Sequence, residues 1–115
     1  MIIEYIRYTI AEDQRDLFEG SYGRARDALA ASPHCLAYEL ARCTEDPARY
    51  ILRIEWDSLE GHLEGFRRSP EFRTFFAAVR PFVSDIAEMR HYERTAVHGR
   101  AGRPAGDGGE MAAAD

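Results

Sequence analysis

Arg49-Tyr50-Ile51-Leu52-Arg53-Ile54-Glu55-Trp56 is the most regular stretch of the chain. Tyr50, Leu52, Ile54 and Trp56 alternate with Ile51, Arg53 and Glu55. Successive side chains of a strand leave opposite faces, so this period of two predicts a strand with one apolar and one mixed side. Just upstream, Glu45-Asp46-Pro47 has the composition of a turn, and Cys35 to Thr44 reads as a second strand. Leu36, Tyr38 and Leu40 share one of its faces and Glu39 lies on the other. Two strands joined by so short a connection pair antiparallel.

The pattern extends outward in both directions. Ile2 to Ile10 alternates again, with Ile2, Glu4, Ile6, Tyr8 and Ile10 on one face. From Glu12 the period becomes helical: Leu17, Phe18, Tyr22, Ala25, Leu29 and Ser32 recur at three and four residues, and Ser32-Pro33 ends the helix. Gly20 and Gly23 inside it imply either close packing against a neighbour or a ligand lying against the helix. After Trp56, Asp57 with Glu60 forms a capping pair for a short helix that carries Leu59, Leu63 and Phe66 inward. Ser69-Pro70-Glu71 restarts a helix with apolar Phe72, Phe75, Phe76 and Val79, closed by Pro81. Ile86 to Tyr92 is the last strand. Residues 94–115 are rich in Gly, Ala and Pro and read as a disordered tail, leaving 1–93 as the folded domain.

Strand, helix, strand, strand, broken helix, strand is the ferredoxin-like βαββαβ order, an α+β fold with a four-stranded antiparallel sheet and its first and third strands in the centre. The helices cover one face, made by Ile6, Tyr8, Leu36, Tyr38, Leu40, Leu52, Ile54, Trp56 and Met89. On the other, Arg7, Glu39, Arg53, Glu55, Glu88 and Arg90 are mixed with Ile3, Tyr5 and Ile51. A face that mixes charge pairs with aliphatic and aromatic groups suits a second sheet stacked on it, so the expected state is a homodimer.

The 115 residues fit one domain. All 15 basic residues are Arg, scattered rather than clustered, and the formal net charge is -5, which excludes a nucleic-acid partner. No apolar run is long enough to span a membrane and the N-terminus has no signal-peptide pattern, so a cytoplasmic protein is expected. Cys35 and Cys43 fall on one strand, roughly 26 Å apart at ~3.3 Å per residue, too far to bridge.

The stretch Cys35-Leu36-Ala37-Tyr38-Glu39-Leu40, followed by Glu45-Asp46-Pro47 and Tyr50 to Trp56, resembles the antibiotic biosynthesis monooxygenase family. The resemblance runs on through Ser58, Leu59, His62, Leu63, Ser69-Pro70-Glu71-Phe72 and His91-Tyr92-Glu93, and so spans residues 2–93. It implies a dimeric α/β barrel with a pocket in each subunit between sheet and helices. It also implies one of several activities: cofactor-free oxidation of quinols or phenolic polyketides by O2, heme degradation, or none. The heme-degrading branch places a tryptophan and an iron-ligating histidine where this chain has Phe66 and Phe76, and an asparagine near Ile6, which argues against heme.

Cofactor-free oxygenation needs an electron-rich substrate, a dry cavity, a base and a donor for the developing oxyanion. Tyr8, Tyr38, Phe66, Phe72 and Phe76 are the expected walls for a small aromatic substrate. Trp56 is the expected N–H donor to a substrate oxygen, and His62 and His91 are the candidate bases. No sequence spacing of Cys, His or Asp predicts a metal site, and no cofactor is expected. The same pocket could instead hold an aromatic metabolite without turnover, or the domain could serve a redox partner.

Overall fold

The computed structural model describes residues 1–102. β1 (Ile2–Thr9), β2 (Cys35–Arg42), β3 (Arg49–Trp56) and β4 (Ile86–Glu93) form one sheet in the order β2-β3-β1-β4. Every neighbouring pair is antiparallel. α1 (Arg15–Ala31) and α2 (Pro70–Val79) cover one face, giving the expected ferredoxin-like α+β architecture with β1 and β3 central. Ser69 caps α2 by accepting the Phe72 N–H, with Pro70 at the first helical position. Residues 94–102 form no helix or strand, and the rest of the proposed tail, 103–115, lies outside the described residues.

The core is an aromatic cluster centred on Phe18, fully buried on α1. Its ring meets Tyr8, Tyr22, Tyr50 and Phe82 at centroid separations of 4.8 to 5.2 Å. Ile10, Leu29, Leu52 and Ile54 fill the remaining space.

Several local expectations change. β2 carries an irregularity between Cys35 and Ala37: Cys35 pairs with Trp56, Ala37 with Glu55, and Leu36 is the extra residue. The bulge turns Cys35 towards the core and leaves Leu36 exposed, not helix-facing as its parity implied. Asp57 does not cap the next helix. Its carboxylate pairs with His34 at 2.9 Å, and Ser58 Oγ accepts the Gly61 N–H instead. The short helix is π-wound over Gly61–Gly65, with the Phe66 N–H reaching both Gly61 and His62 carbonyls. The wider turn brings His62 and Phe66 inward and leaves Leu59 and Leu63 outside. Finally, a Cβ on Gly23 would meet nothing within 4 Å, so close packing does not explain that glycine.

Phe18→Ala removes the hub of the aromatic cluster and is expected to cost about 3–5 kcal/mol in denaturant unfolding. A loss under about 1 kcal/mol would mean that the rings pack without it.

Candidate functional site

β1 brings one carboxylate onto the helix-facing side of the sheet, at Glu4, between Ile2 and Ile6. In register, Glu4 lies directly opposite Ile54 on β3 and His91 on β4. Trp56, two residues beyond Ile54, is its diagonal neighbour and donates its indole N–H to Glu4 Oε1 at 3.1 Å. The π-turn supplies the fourth member. His62 stacks on Trp56 at 4.3 Å with 12° between planes. One of its ring nitrogens lies 2.8 Å from His91 Nε2 and the other 3.5 Å from Glu4 Oε1. His91 Nε2 is also 3.8 Å from Glu4 Oε2. Glu4, Trp56 and His62 are buried, and His91 alone keeps partial contact with solvent.

Burial sets the charge states of this group. It raises the Glu4 carboxyl above its usual range, with the Trp56 hydrogen bond and the Arg67 charge acting in the opposite sense. His62 is pushed down to about 3, chiefly by desolvation and then by His91 and Arg67. His91 is lowered by the same burial and by Arg67.

The group forms one end of a cavity of about 250 Å³. Tyr8, Phe66, Phe72 and Phe76 line it as expected, together with Glu4 and His62. Arg67 stands at its exposed side, its guanidinium 5.7 Å from the centre of the Phe72 ring. It has no carboxylate partner among the described residues, whereas its neighbour Arg68 pairs with Glu64.

Two expected site residues stand differently here. Tyr38 borders a separate open groove beside Tyr22, Gly23 and Arg26 instead of the Glu4 cavity. The Trp56 N–H, expected to donate to a substrate oxygen, is engaged by Glu4 in this structure, and the indole lines the cavity. Two residues were missed. Glu4 was visible as the one acid in an otherwise apolar stripe from Ile2 to Ile10, whereas nothing local distinguished Arg67 from Arg68.

The sequence model for antibiotic biosynthesis monooxygenases matches residues 1–78. The chain belongs to that family. Its curated relatives include the uncharacterised protein YczJ of Bacillus subtilis (strain 168), 28% identical over 93 residues, which cover 81% of this chain and 98% of YczJ. Among solved structures it resembles SnoaB, a cofactor-independent oxygenase from Streptomyces nogalater, with a TM-score of 0.66 and 15% identity over 81% of this chain and 91% of that one. A conserved protein from Methanosarcina mazei Go1 aligns with a TM-score of 0.69 and 18% identity, over 82% and 92% of the respective chains. At these identities the solved structures establish the shared fold and nothing further.

The depressed basicity of His62 has a consequence for stability. An unfolded histidine takes up a proton near pH 6.5, whereas His62 in the fold stays neutral down to about pH 3. Its contribution is therefore full above pH 6.5 and falls as the pH drops from there towards 3. Relative to His62→Phe, which keeps a flat ring against Trp56, the wild type is expected to lose about 1 kcal/mol between about pH 7.5 and 5.5 in denaturant unfolding. Parallel pH profiles for the two proteins would contradict a buried neutral imidazole.

Proposed function

We propose that this family member is a cofactor-independent monooxygenase that oxidises a small hydroquinone or phenol with O2. The observation that carries the proposal is a buried carboxylate, Glu4, at the wall of an aromatic cavity and linked through His62 to solvent-contacting His91. A volume of about 250 Å³ favours one or two fused rings over a larger polycycle.

The chemistry starts with removal of the phenolic proton. Glu4 lies in the cavity wall with a raised proton affinity, which makes it the base, and the two imidazoles provide a route for the proton to the surface at His91. The electron-rich phenolate transfers an electron to O2, and the resulting pair combines to a hydroperoxide on ring carbon. Loss of water leaves a quinone. For the parent hydroquinone, one molecule and one O2 give one hydroxy-benzoquinone and one water, with no outside reductant. One oxygen atom of O2 stays on the ring and the other leaves in the water. Trp56, Phe66 and Phe72 exclude water from the charged intermediate, and the Arg67 guanidinium favours the anion over the neutral phenol.

The working unit in this proposal is a homodimer joined through the outer face of the sheet. That face keeps Ile3, Tyr5 and Ile51 half-buried and Tyr92 exposed, with Tyr5 and Tyr92 edge-to-face at 5.4 Å. Most of its charges are paired within one chain: Arg7 and Arg90 with Glu88, and Arg53 with Glu55, while Glu39 stands opposite Arg53 across β2 and β3. A face so largely neutralised can stack on its own copy with few ions to desolvate.

Chelator-treated protein is expected to consume O2 with a panel of substituted hydroquinones, and Glu4→Gln to lower the rate about 100-fold or more. Uptake no faster than buffer across the panel overturns the proposal. Thermal stabilisation by the same quinols without uptake would mark a binding protein instead. For the assembly, sedimentation velocity at micromolar concentration should give twice the chain mass, reduced to one chain by Ile51→Arg on the outer face. A wild-type monomer would remove the dimer.

A further inference from the structure

Glu4, His62 and His91 come from three separate elements, and one donor atom from each lies within 4.8 Å of the others. The pairwise contacts use different atoms: His62 Nδ1 lies 2.8 Å from His91 Nε2, His62 Nε2 lies 3.5 Å from Glu4 Oε1, and Glu4 Oε2 lies 3.8 Å from His91 Nε2. Two donors at ~2.1 Å from one ion lie roughly 3.0 Å apart at a right angle and roughly 3.4 Å apart at a tetrahedral angle. With one donor atom from each residue the group spans up to 4.8 Å, wider than this, and closes on an ion when the His62 ring and the Glu4 carboxylate turn to present one atom each.

We infer that Glu4, His62 and His91 bind a divalent first-row transition-metal ion, with the remaining coordination positions opening on the aromatic cavity. Two imidazoles and a carboxylate form the donor set that suits iron(II), cobalt, zinc or manganese, and disfavours calcium and magnesium, which take oxygen ligands. Three features of the fold support it. Glu4 and His91 are direct cross-strand partners on central β1 and its neighbour β4, so the sheet ladder fixes their spacing. Stacking on Trp56 fixes the His62 ring, and the Trp56 N–H orients Glu4 from outside the donor set, as outer partners of metal ligands do. Glu4 and His62 both line the aromatic cavity, so an ion they hold is within reach of water or an oxygen of a guest there.

In this structure His62 Nδ1 and His91 Nε2 share a hydrogen bond of 2.8 Å, and Glu4 lies against the two rings at 3.5 and 3.8 Å. Arg67 does not belong to the donor set. It stands at the exposed side of the cavity over Phe72, where its charge weakens affinity without blocking the site. An ion competes with the base role proposed for Glu4, so quinol turnover belongs to the ion-free site, and ion binding is read directly rather than through turnover.

The test uses full-length, untagged protein, stripped with chelator and titrated with Co2+ and then Zn2+. One equivalent of Co2+ per chain, with visible d–d bands bleached by Zn2+, is expected. Glu4→Gln and His91→Ala should each weaken Zn2+ binding by at least the roughly 10–100-fold seen when only an outer-shell partner is lost. His34→Gln, which removes the other histidine–carboxylate pair, should leave it intact. A readout without variants comes from imidazole 15N–1H correlation spectra, since the chain has only four histidines. Zn2+ should move the His62 and His91 nitrogens and leave those of His34 and His98 in place. Failure to bind either ion, binding that survives both ligand variants, loss with His34→Gln, or shifts confined to His34 and His98 would each overturn the inference. Oxygen uptake by chelator-treated protein depends on none of these outcomes, so the two proposals fail separately.

Discussion

A carboxylate buried on the apolar side of a sheet is the constraint around which the rest of this molecule is arranged. Moving an ionisable group out of water costs several kcal/mol unless hydrogen bonds replace the water it has lost. Glu4 recovers part of that cost through one hydrogen bond, from the Trp56 N–H on β3, with His91 of β4 and His62 of the π-turn beside it, and burial still raises its proton affinity. A one-residue slip of either central pairing would turn Glu4 to the outer face and separate it from Trp56 and His91 together. The polar group thus specifies the register of the sheet while weakening its core. A molecule selected for stability alone would have an aliphatic residue there.

The π-turn is the local means by which the site is completed. An α-helical turn over the same residues would point Leu59 and Leu63 inward, as their spacing suggests, and would leave His62 outside. The wider winding reverses that choice. Glycines at both ends make the fit practicable: a Cβ at Gly61 would collide with the Asp57 carboxylate and one at Gly65 with the His34 ring. His34 and Asp57, hydrogen-bonded to each other, lie directly over the turn. π-Winding and close-approach glycines both mark places where function has outweighed regular packing.

The fold was legible because its signals are local and repeated. Alternation in β1 and β3, the Ser69-Pro70 cap and the Ser32-Pro33 stop each act within a few residues, and all agree on one topology. The site was legible only in part. Trp56, His62 and His91 could be nominated by type and parity, and the structure gathers all three. Their joining through Glu4 depends on a register that places positions 4 and 91 opposite each other, a relation that no window of sequence contains. Leu36 and Tyr38 show the limits of parity. The bulge displaces Leu36, and Tyr38, although on the correct face, borders a different groove beside α1.

The cavity itself is polarised. One end holds Glu4 and His62, the exposed side carries the Arg67 guanidinium, and the walls between are rings of Phe66, Phe72 and Phe76. A guest with one acidic hydroxyl can place that group against the carboxylate and its ring against the walls, whereas a fully apolar guest would strand the polar end. Recognition and activation are then one event, because the group that orients the hydroxyl is the group that takes its proton. A metal ion held by Glu4, His62 and His91 uses the same carboxylate, so the buried acid cannot be an open base and a ligand at once. With a cation held beside Glu4, the ion and the Arg67 guanidinium both border the cavity, and an anionic oxygen entering it meets favourable charge from each.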